Sequence, residues 1–305
     1  MEKRRILVVF LITAMFARLS VSCTYDYFVD ETNYKVFVPE VANGSITTCF
    51  VAVYDEAGTL VRTRRTGPLG SDPRVTAGIF SFRLQPGKYT AYCYANVNDM
   101  EVMDAGSSEQ AFLALKRIVP PVEERDSQAY ALPPEVVFQK LTPTIGNTFE
   151  QLVDTATLER FVGRITVRLK NLPFTLHDVT RVQLEATGVA TRQYFSRDTL
   201  TSRLTENDYI FNDSPLAAGS EHFMEMDHYY FPSIADQLMR LNIRFLNAGG
   251  EILNEIPVEV IDTKTALPLP LLRGKRIILE IDSYTVVSIG LVGWNEEIKN
   301  SDREI

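Results

Sequence analysis

Few residues in this chain have the type and spacing that covalent or metal chemistry needs. Its cysteines are Cys23, Cys49 and Cys93. Its histidines are His177, His222 and His228. His222 and His228 share a face of a predicted strand, but they lie about 20 Å apart along it, which is too far to hold one ion. We therefore expect ordinary surface histidines, no metal site and no cofactor.

Motifs of the common catalytic classes are also missing from the sequence. There is no Gly-x-Ser-x-Gly elbow, no phosphate-binding glycine loop, no His-Glu-x-x-His and no Cys-x-x-Cys. Paired carboxylates such as Glu123-Glu124 and Glu296-Glu297 fall in predicted loops and in the tail, where solvated charge is the ordinary interpretation. The sequence thus predicts a protein that is not an enzyme.

Cys23 follows a segment with the layout of a secretory signal. Residues 3–5 are basic, and residues 6–16 are apolar apart from Thr13, a run too short to span a bilayer as a helix. The small residues Ser20 and Ser22 come just before Cys23, with Leu19 one place further out than usual. The arrangement resembles the lipobox of bacterial lipoproteins, in which this cysteine receives a diacylglycerol thioether and, after cleavage, an acyl chain.

Two interpretations of this end of the chain stay open. In the first, residues 1–22 are a cleaved lipoprotein signal peptide, and residues 23–33 are a spacer anchored by lipid at Cys23. Two or three acyl chains would then hold the protein stably on a membrane. In the second, the protein is an ordinary secreted one whose cysteine merely lies near the cleavage site.

Composition and charge limit the partners of the remaining chain. Hydrophobic residues make up 45% and charged residues 23% of the 305 residues, as in globular proteins. Residues 1–22 carry a net charge of +3 within the total of −8, so the remainder carries −11. An acidic body argues against nucleic acid as a partner. It also argues against adsorption to anionic lipid.

Short β-rich segments separated by turn signals dominate the rest of the chain. Residues 46–54 and 59–65 flank a turn and predict a hairpin, and residues 238–246 and 251–260 predict another. One short helix is expected at residues 111–118, after a capping signal at residues 107–110. We predict an all-β fold with two tandem antiparallel β-sandwich domains of immunoglobulin-like or transthyretin-like type.

The predicted boundary between the two domains lies where the strand pattern lapses, at residues 142–156. The N-terminal sandwich would then cover residues 34–145, and the C-terminal sandwich with its polar tail residues 146–305. By alternation, Cys49 and Cys93 both point into the first core. They form either a disulfide or a pair of buried thiols, and the sequence leaves both open.

In their order and spacing, several of these features resemble the FimB-type fimbrial anchor lipoproteins of Bacteroides-related bacteria, which carry Porphyromonas-like fimbriae. The features are the lipobox-like end at Cys23, the hairpin at residues 49–58, the strand opening at residues 84–89 and the closing strand that reaches Gly293-Trp294-Asn295. The resemblance spans nearly the whole chain.

The resemblance implies a lipoprotein of the cell outer membrane that faces the surface at the base of a fimbria and limits its elongation. Fimbrial structural subunits would be its partners, and lipid, including palmitate, at Cys23 would attach it to the membrane. It also implies roles in cell adhesion and virulence. Shaft subunits of related fimbriae join by strand exchange, so we expect the contact at a sheet edge or at the last strand, residues 283–292.

Three other functions remain open from the sequence. The chain could be a shaft or tip subunit of the same superfamily, which would be matured by proteolysis of an N-terminal strand. It could be a surface lipoprotein that binds glycans, although a single tryptophan, Trp294, gives that little support. An outer-membrane hydrolase comes third, because the catalytic motifs are missing.

Overall fold

The computed structural model describes residues 32–67, 72–98, 100–103, 105–119, 128–147, 150–171, 179–196, 208–216, 223–233, 237–262 and 264–297. Within these ranges the chain forms β-strands and one short helix, α1 (Pro39–Ala42). The strands are β1 (Tyr34–Phe37), β2 (Cys49–Asp55), β3 (Leu60–Thr66), β4 (Val75–Thr76), β5 (Ile79–Phe82), β6 (Gly87–Ala95), β7 (Met100–Met103), β8 (Phe112–Leu115), β9 (Arg117–Ile118), β10 (Ala129–Ala131), β11 (Val137–Leu141), β12 (Thr144–Ile145), β13 (Leu152–Thr155), β14 (Glu159–Arg160), β15 (Gly163–Lys170), β16 (Val179–Thr187), β17 (Arg192–Tyr194), β18 (Tyr209–Pro215), β19 (Phe223–Tyr230), β20 (Arg240–Asn247), β21 (Ile252–Glu259), β22 (Lys275–Asp282) and β23 (Thr285–Gly293). The all-β class is confirmed. No helix in the described ranges is long and apolar enough to cross a membrane.

Two sheets enclose the smaller of two buried apolar clusters. The first sheet has the strand order β13-β1-β5-β4, and the central sheet has the order β14-β11-β6-β2-β3, with β12 beside β6. Every second residue of β1 and β5 is buried, as expected for strands with one face in a core. Tyr34, Phe80 and Phe82 fill this cluster together with the side of β2 and β6 that carries Val51 and Cys93.

The central sheet is buried on both faces. Residues 49–54 of β2 are all buried, and alternate ones belong to the smaller and to the larger cluster. On β6, Tyr94 faces the larger cluster, where its ring centroid lies 5.1 Å from that of Phe161 and 4.6 Å from that of Phe195. These aromatic contacts pack the second face of the central sheet against residues from the later part of the chain.

The wide sheet and the last sheet form a second pair of layers. The wide sheet has the order β21-β20-β16-β18-β10-β9, and the last sheet has the order β19-β15-β22-β23. Val167 on β15, Leu279 on β22, Leu184 on β16 and Ile243 on β20 all belong to the larger cluster. Both sheets therefore direct apolar side chains into one core and pack as a β-sandwich.

Strand pairing crosses the predicted domain boundary in both directions. β8 pairs with β17, and β10 lies parallel to β18, so strands before residue 145 join strands of the later part. In the other direction, strands after residue 145 join sheets of the earlier part: β13 lies parallel to β1, and β14 pairs with β11. The division into sandwiches at 34–145 and 146–305 stays a prediction, and these ladders fasten the two parts together.

The predicted helix at residues 111–118 was wrong. Residues 112–115 form β8, which pairs with β7 on one side and β17 on the other, and residues 117–118 form β9. Phe112, Leu113 and Leu115 are buried there. Since β17 lies some 80 residues further along the chain, a local capping signal could not reveal the partner that makes this segment extended.

Candidate functional site

The structure describes only some of the residues that the sequence singled out. Cys23, His177 and His222 lie outside the described residues. Cys49 and Cys93 are both described and buried. Within the described part of the chain, no group of three or more His, Cys, Asp or Glu side chains could hold a metal ion.

Cys49 and Cys93 lie diagonally across β2 and β6. Cys49 is opposite Ala95, and Cys93 is opposite Val51, so the two cysteines are offset by two residues. Their Sγ atoms lie 3.6 Å apart, and both are free thiols. The hydrogen bond with Cys93, together with burial, raises the pKa of the Cys49 thiol well above its usual range. Such a thiol is a poor nucleophile. Of the two forms that the sequence left open, the structure holds the pair of buried thiols, and a disulfide between them stays a prediction.

His228 is a core residue, and the expectation of a surface histidine was wrong for it. It lies on β19 opposite Ile165 and is 3% exposed. Burial lowers the pKa of His228 to about 4, against a smaller opposing effect of Asp227. Neither ring nitrogen has a hydrogen-bond partner among the described residues. It is therefore a neutral part of the core at physiological pH.

Sheet edges are the places where another chain could add a strand, because their outer backbone groups are unpaired. Natural proteins protect such edges with charges, proline or short length. Charged residues occur in the described edge strands β3, β7, β9, β13, β14, β17, β19 and β21, and β21 also holds Pro257. The edge strand β4 and the short strand β12 each have only two residues.

β23 is the exception among these described edges. Its nine residues, Thr-Val-Val-Ser-Ile-Gly-Leu-Val-Gly, include no charge and no proline. Among the described strands it pairs with β22 alone, in antiparallel register with one irregularity near Val287. Val286, Ile289 and Leu291 pack against the larger cluster, whereas Val287 and Val292 do not belong to that packing. β23 therefore offers a nine-residue apolar edge whose outer ladder positions have no partner among the described strands, and the bulge at Val287 is its one protective feature.

The outer face of the last sheet, next to this edge, carries a network of charged side chains. Its members are Arg164, Arg168, Lys170, Glu225, Asp227, Arg276, Glu280 and Glu297. Arg168 Nε donates to Glu225 at 2.7 Å, and the buried Arg276 donates through Nε to Thr166 Oγ1 at 2.7 Å. Ser288 of β23 donates to Glu280 Oε2 at 3.1 Å, which ties the edge strand to the network.

Residues 294–297, which we call the C-terminal strap, fold back onto this outer face. The Trp294 ring stacks on Tyr229 with centroids 5.9 Å apart, and the guanidinium carbons of Arg160 and Arg164 lie 4.3 and 4.6 Å from its centroid. Trp294 is 8% exposed. Since its ring is covered, it cannot serve as the exposed stacking platform that a glycan site would use.

Glu297 is the second attachment of the strap. Its two carboxylate oxygens accept hydrogen bonds from Arg168 at 2.6 and 2.9 Å, and Arg276 adds a contact at 3.3 Å. The hydrogen bond with Arg168 lowers the pKa of Glu297 and raises that of Arg168. Between β23 and the strap, a Cβ at Gly293 would lie 2.6 Å from Glu296 Cδ, so a side chain there would require the Glu296 side chain to move.

Together, β23 and the strap form an edge that is held rigid from one side and open on the other. Strand addition there would draw affinity from backbone hydrogen bonds and specificity from alternating side-chain positions. The expected contact at residues 283–292 thus falls on the least protected edge of the described sheets. The charge network was not predicted, although the alternation of Arg164, Thr166 and Arg168 on one strand face was visible in the sequence.

The chain matches a known protein family. The sequence profile of a family described as "Fimbrillin-A associated anchor proteins Mfa1 and Mfa2" matches residues 18–300. No curated protein sequence matches the chain significantly.

Several solved structures have a similar fold. A provisionally named adhesin from Bacteroides ovatus aligns with a TM-score of 0.56 and 13% identity, over 93% of this chain and 96% of that one. A provisionally named polysaccharide-binding protein from Bacteroides thetaiotaomicron aligns with a TM-score of 0.51 and 13% identity, over 88% and 99% of the two chains. The fimbrial anchor protein Mfa2 from Porphyromonas gingivalis aligns with a TM-score of 0.49 and 13% identity, over 86% and 97%. At such identities the two structures with TM-scores above 0.5 show the fold alone.

Proposed function

The chain belongs to the family of fimbrillin-A-associated anchor proteins, and we propose from this that it holds the base of a fimbria at the outer membrane and limits its elongation. The fimbrial structural subunit is its partner, and the role is structural, without catalysis. A protein bound to a fimbria at one surface and to the membrane at the other fixes the fimbria but adds no further subunit at the membrane end.

The membrane attachment in this proposal is the lipid on Cys23. Residues 1–22 are then a cleaved signal peptide, and residues 23–33 are the spacer that connects the acylated cysteine to the folded body. Two or three acyl chains bind a membrane stably, whereas a single chain binds only marginally. The signal layout of residues 3–16 and the family membership support this attachment.

The fimbrial contact in this proposal is strand addition at β23. The observation that carries it is the absence of charge and proline from this nine-residue edge, when every other described edge strand longer than two residues is protected by charge. A subunit strand laid along β23 would extend the last sheet by one strand. The ladder that β23 makes with β22 would be left intact.

A double substitution of the edge tests this contact. In Val287→Lys/Val292→Lys, two lysines are placed on β23 at positions outside the core packing. We expect the affinity for the purified fimbrial shaft subunit to fall at least tenfold, because a charged edge disfavours strand pairing. The measurement is surface plasmon resonance with the purified proteins, together with the fraction of fimbriae shed into the medium.

A matched control adds the same charges to a different edge. Ile252 and Leu253 on β21 are exposed apolar residues, and Ile252→Lys/Leu253→Lys should leave subunit binding unchanged. Both variants must keep the wild-type circular dichroism spectrum and melting temperature within about 3 °C. Full subunit binding by a folded β23 variant, or equal loss in the β21 control, would refute strand addition at β23.

A further inference from the structure

A cluster of arginines lies on the first part of the chain, in contrast to the acidic balance of the whole. A cleft of about 350 Å³ is lined by Arg62 and Arg64 of β3, by Arg74 before β4 and by Arg83 after β5. The remaining lining residues are Val61, Gln85 and Tyr89, so the lining set contains no acidic residue. We call these four arginines the arginine cleft.

Arg64 forms the fixed base of the arginine cleft. Its Nε donates to the Ser81 carbonyl oxygen at 3.3 Å, its guanidinium lies 5.6 Å from the Phe82 ring centroid, and Asp72 lies 3.5 Å away as an ion-pair partner. Arg62, Arg74 and Arg83 have exposed side chains. Three exposed arginines and a fixed fourth therefore give one cleft a basic lining, and arginine is the side chain that suits phosphate groups.

The arginine cleft lies close to Asn33, near the N-terminal end of the first described range. Asn33 donates its backbone N–H to the Phe82 carbonyl oxygen at 3.1 Å, and its side chain exchanges two hydrogen bonds with the Leu84 backbone. Asn33 is thus hydrogen-bonded to the residues before and after Arg83. The nine steps from residue 32 back to Cys23 span at most about 30 Å when extended. A lipid at Cys23 would keep this face of the protein near the bilayer.

We infer that the arginine cleft binds the phosphate headgroups of the membrane that holds the acylated Cys23, and so orients the body on that membrane. The inference rests on the proposed lipid attachment. The charge of −11 on the chain after residue 22 predicts repulsion from anionic lipid. Screening limits such interactions to about 8 Å at physiological salt, so the local charge of the cleft determines the contact at the surface. Arginine recognises phosphate with two parallel hydrogen bonds, which gives the contact direction as well as attraction.

Vesicle binding of an unacylated protein tests the arginine cleft by itself. The mature chain from residue 23, carrying Cys23→Ser, is mixed with vesicles of phosphatidylethanolamine and phosphatidylglycerol at 7:3, or of phosphatidylcholine alone. We expect at least tenfold stronger partitioning to the anionic vesicles in 50 mM salt. That preference should fall steeply at 300 mM salt. Equal partitioning to both vesicle types would overturn the inference.

Three substitutions assign the binding to the cleft. Arg62→Gln/Arg74→Gln/Arg83→Gln should lower partitioning to anionic vesicles at least tenfold, and the matching Arg→Lys triple variant should keep most of it. The control Arg181→Gln/Arg192→Gln/Arg240→Gln removes three exposed arginines elsewhere and should bind as the parent does. Equal loss in the control, with both variants folded by melting temperature, would contradict a specific cleft.

The vesicle assay measures binding by the cleft separately from the lipid anchor, because the protein in this assay has no acyl chain. If the unacylated protein binds vesicles and the protein also proves unacylated in cells, phosphate binding by the arginine cleft is supported and the lipid anchor is refuted. If the unacylated protein does not bind vesicles but the protein is acylated in cells, the lipid anchor is supported and phosphate binding by the arginine cleft is refuted.

Discussion

His228 is the residue through which the stability of this fold is most directly coupled to pH. The side chain is buried on β19 without a hydrogen-bond partner among the described residues, and burial holds its pKa at about 4. In the unfolded chain the pKa of a histidine is about 6.5. Between these two values the unfolded state binds a proton that the folded state does not.

The sign of the effect follows from this proton difference. As the pH falls from about 6.5 to 4, the free energy of unfolding should drop by about 3 kcal/mol through His228 alone, and below pH 4 this contribution should level off. Chemical denaturation of wild type and His228→Leu at several pH values measures it. The variant should lack this part of the decline, and His228→Phe should behave as the Leu variant does. Parallel pH profiles for all three proteins would contradict the assignment.

Single residues differ in how far the sequence could place them. Alternation correctly put Cys49 and Cys93 in a core, because a period of two needs only the local strand. His228 was expected at the surface together with His222, because the two lie too far apart along their strand face to hold one ion. Only the pairing with β15, whose Ile165 lies opposite, shows that its side of β19 faces the core.

At the scale of elements, the C-terminal strap is expected to stabilise the edge strand. Trp294 is nearly buried between Tyr229 and two arginines, and Glu297 is paired with Arg168. Trp294→Ala should cost about 3 kcal/mol of unfolding free energy and speed amide hydrogen exchange in β23. Glu297→Gln should cost at most about 1 kcal/mol, because its side chain is more than half exposed and solvent screens the pair.

Hydrogen exchange with mass spectrometry measures both effects on the same peptide. Trp294→Phe keeps an aromatic ring on Tyr229 and is the matched control, with exchange in β23 near that of the wild type. If Trp294→Ala left β23 protected as in the wild type, the strap would have no part in fixing the edge. Since the pKa of Glu297 is lowered in the folded state, its share of the attachment should be present above about pH 4.3 and be lost as the pH falls through the lower, folded-state pKa.

Elements with local signals were predictable, and elements defined by distant partners were not. The hairpins β2–β3 and β20–β21 were predicted from turn residues flanked by β-rich segments, and both are confirmed. β8 was predicted as a helix, because its partner β17 comes from a remote part of the chain. That β23 is the last strand was predictable, but its place at an edge depends on the parallel pairing of β15 with β22.

For the whole molecule, the order of layers and the placement of charge were beyond the sequence. The central sheet has two buried faces because residues from the later part of the chain cover its second side, as Phe161 covers Tyr94. The net charge of −8 is a sum over the whole chain, and it does not show where basic residues cluster. In the fold, Arg62, Arg64, Arg74 and Arg83 from three separate segments meet at one cleft.

For the whole molecule, we propose that lipid on Cys23 holds this protein, and with it a fimbria, at the cell envelope. Metabolic labelling with a fatty acid in cells that express wild type or Cys23→Ser tests it, with the location of fimbriae measured in the same cultures. We expect label on the wild-type protein and fimbriae on the envelope, and no label on Cys23→Ser with protein and fimbriae in the medium. Label that persists on Cys23→Ser, or an unlabelled variant whose fimbriae stay on the envelope, would contradict the account.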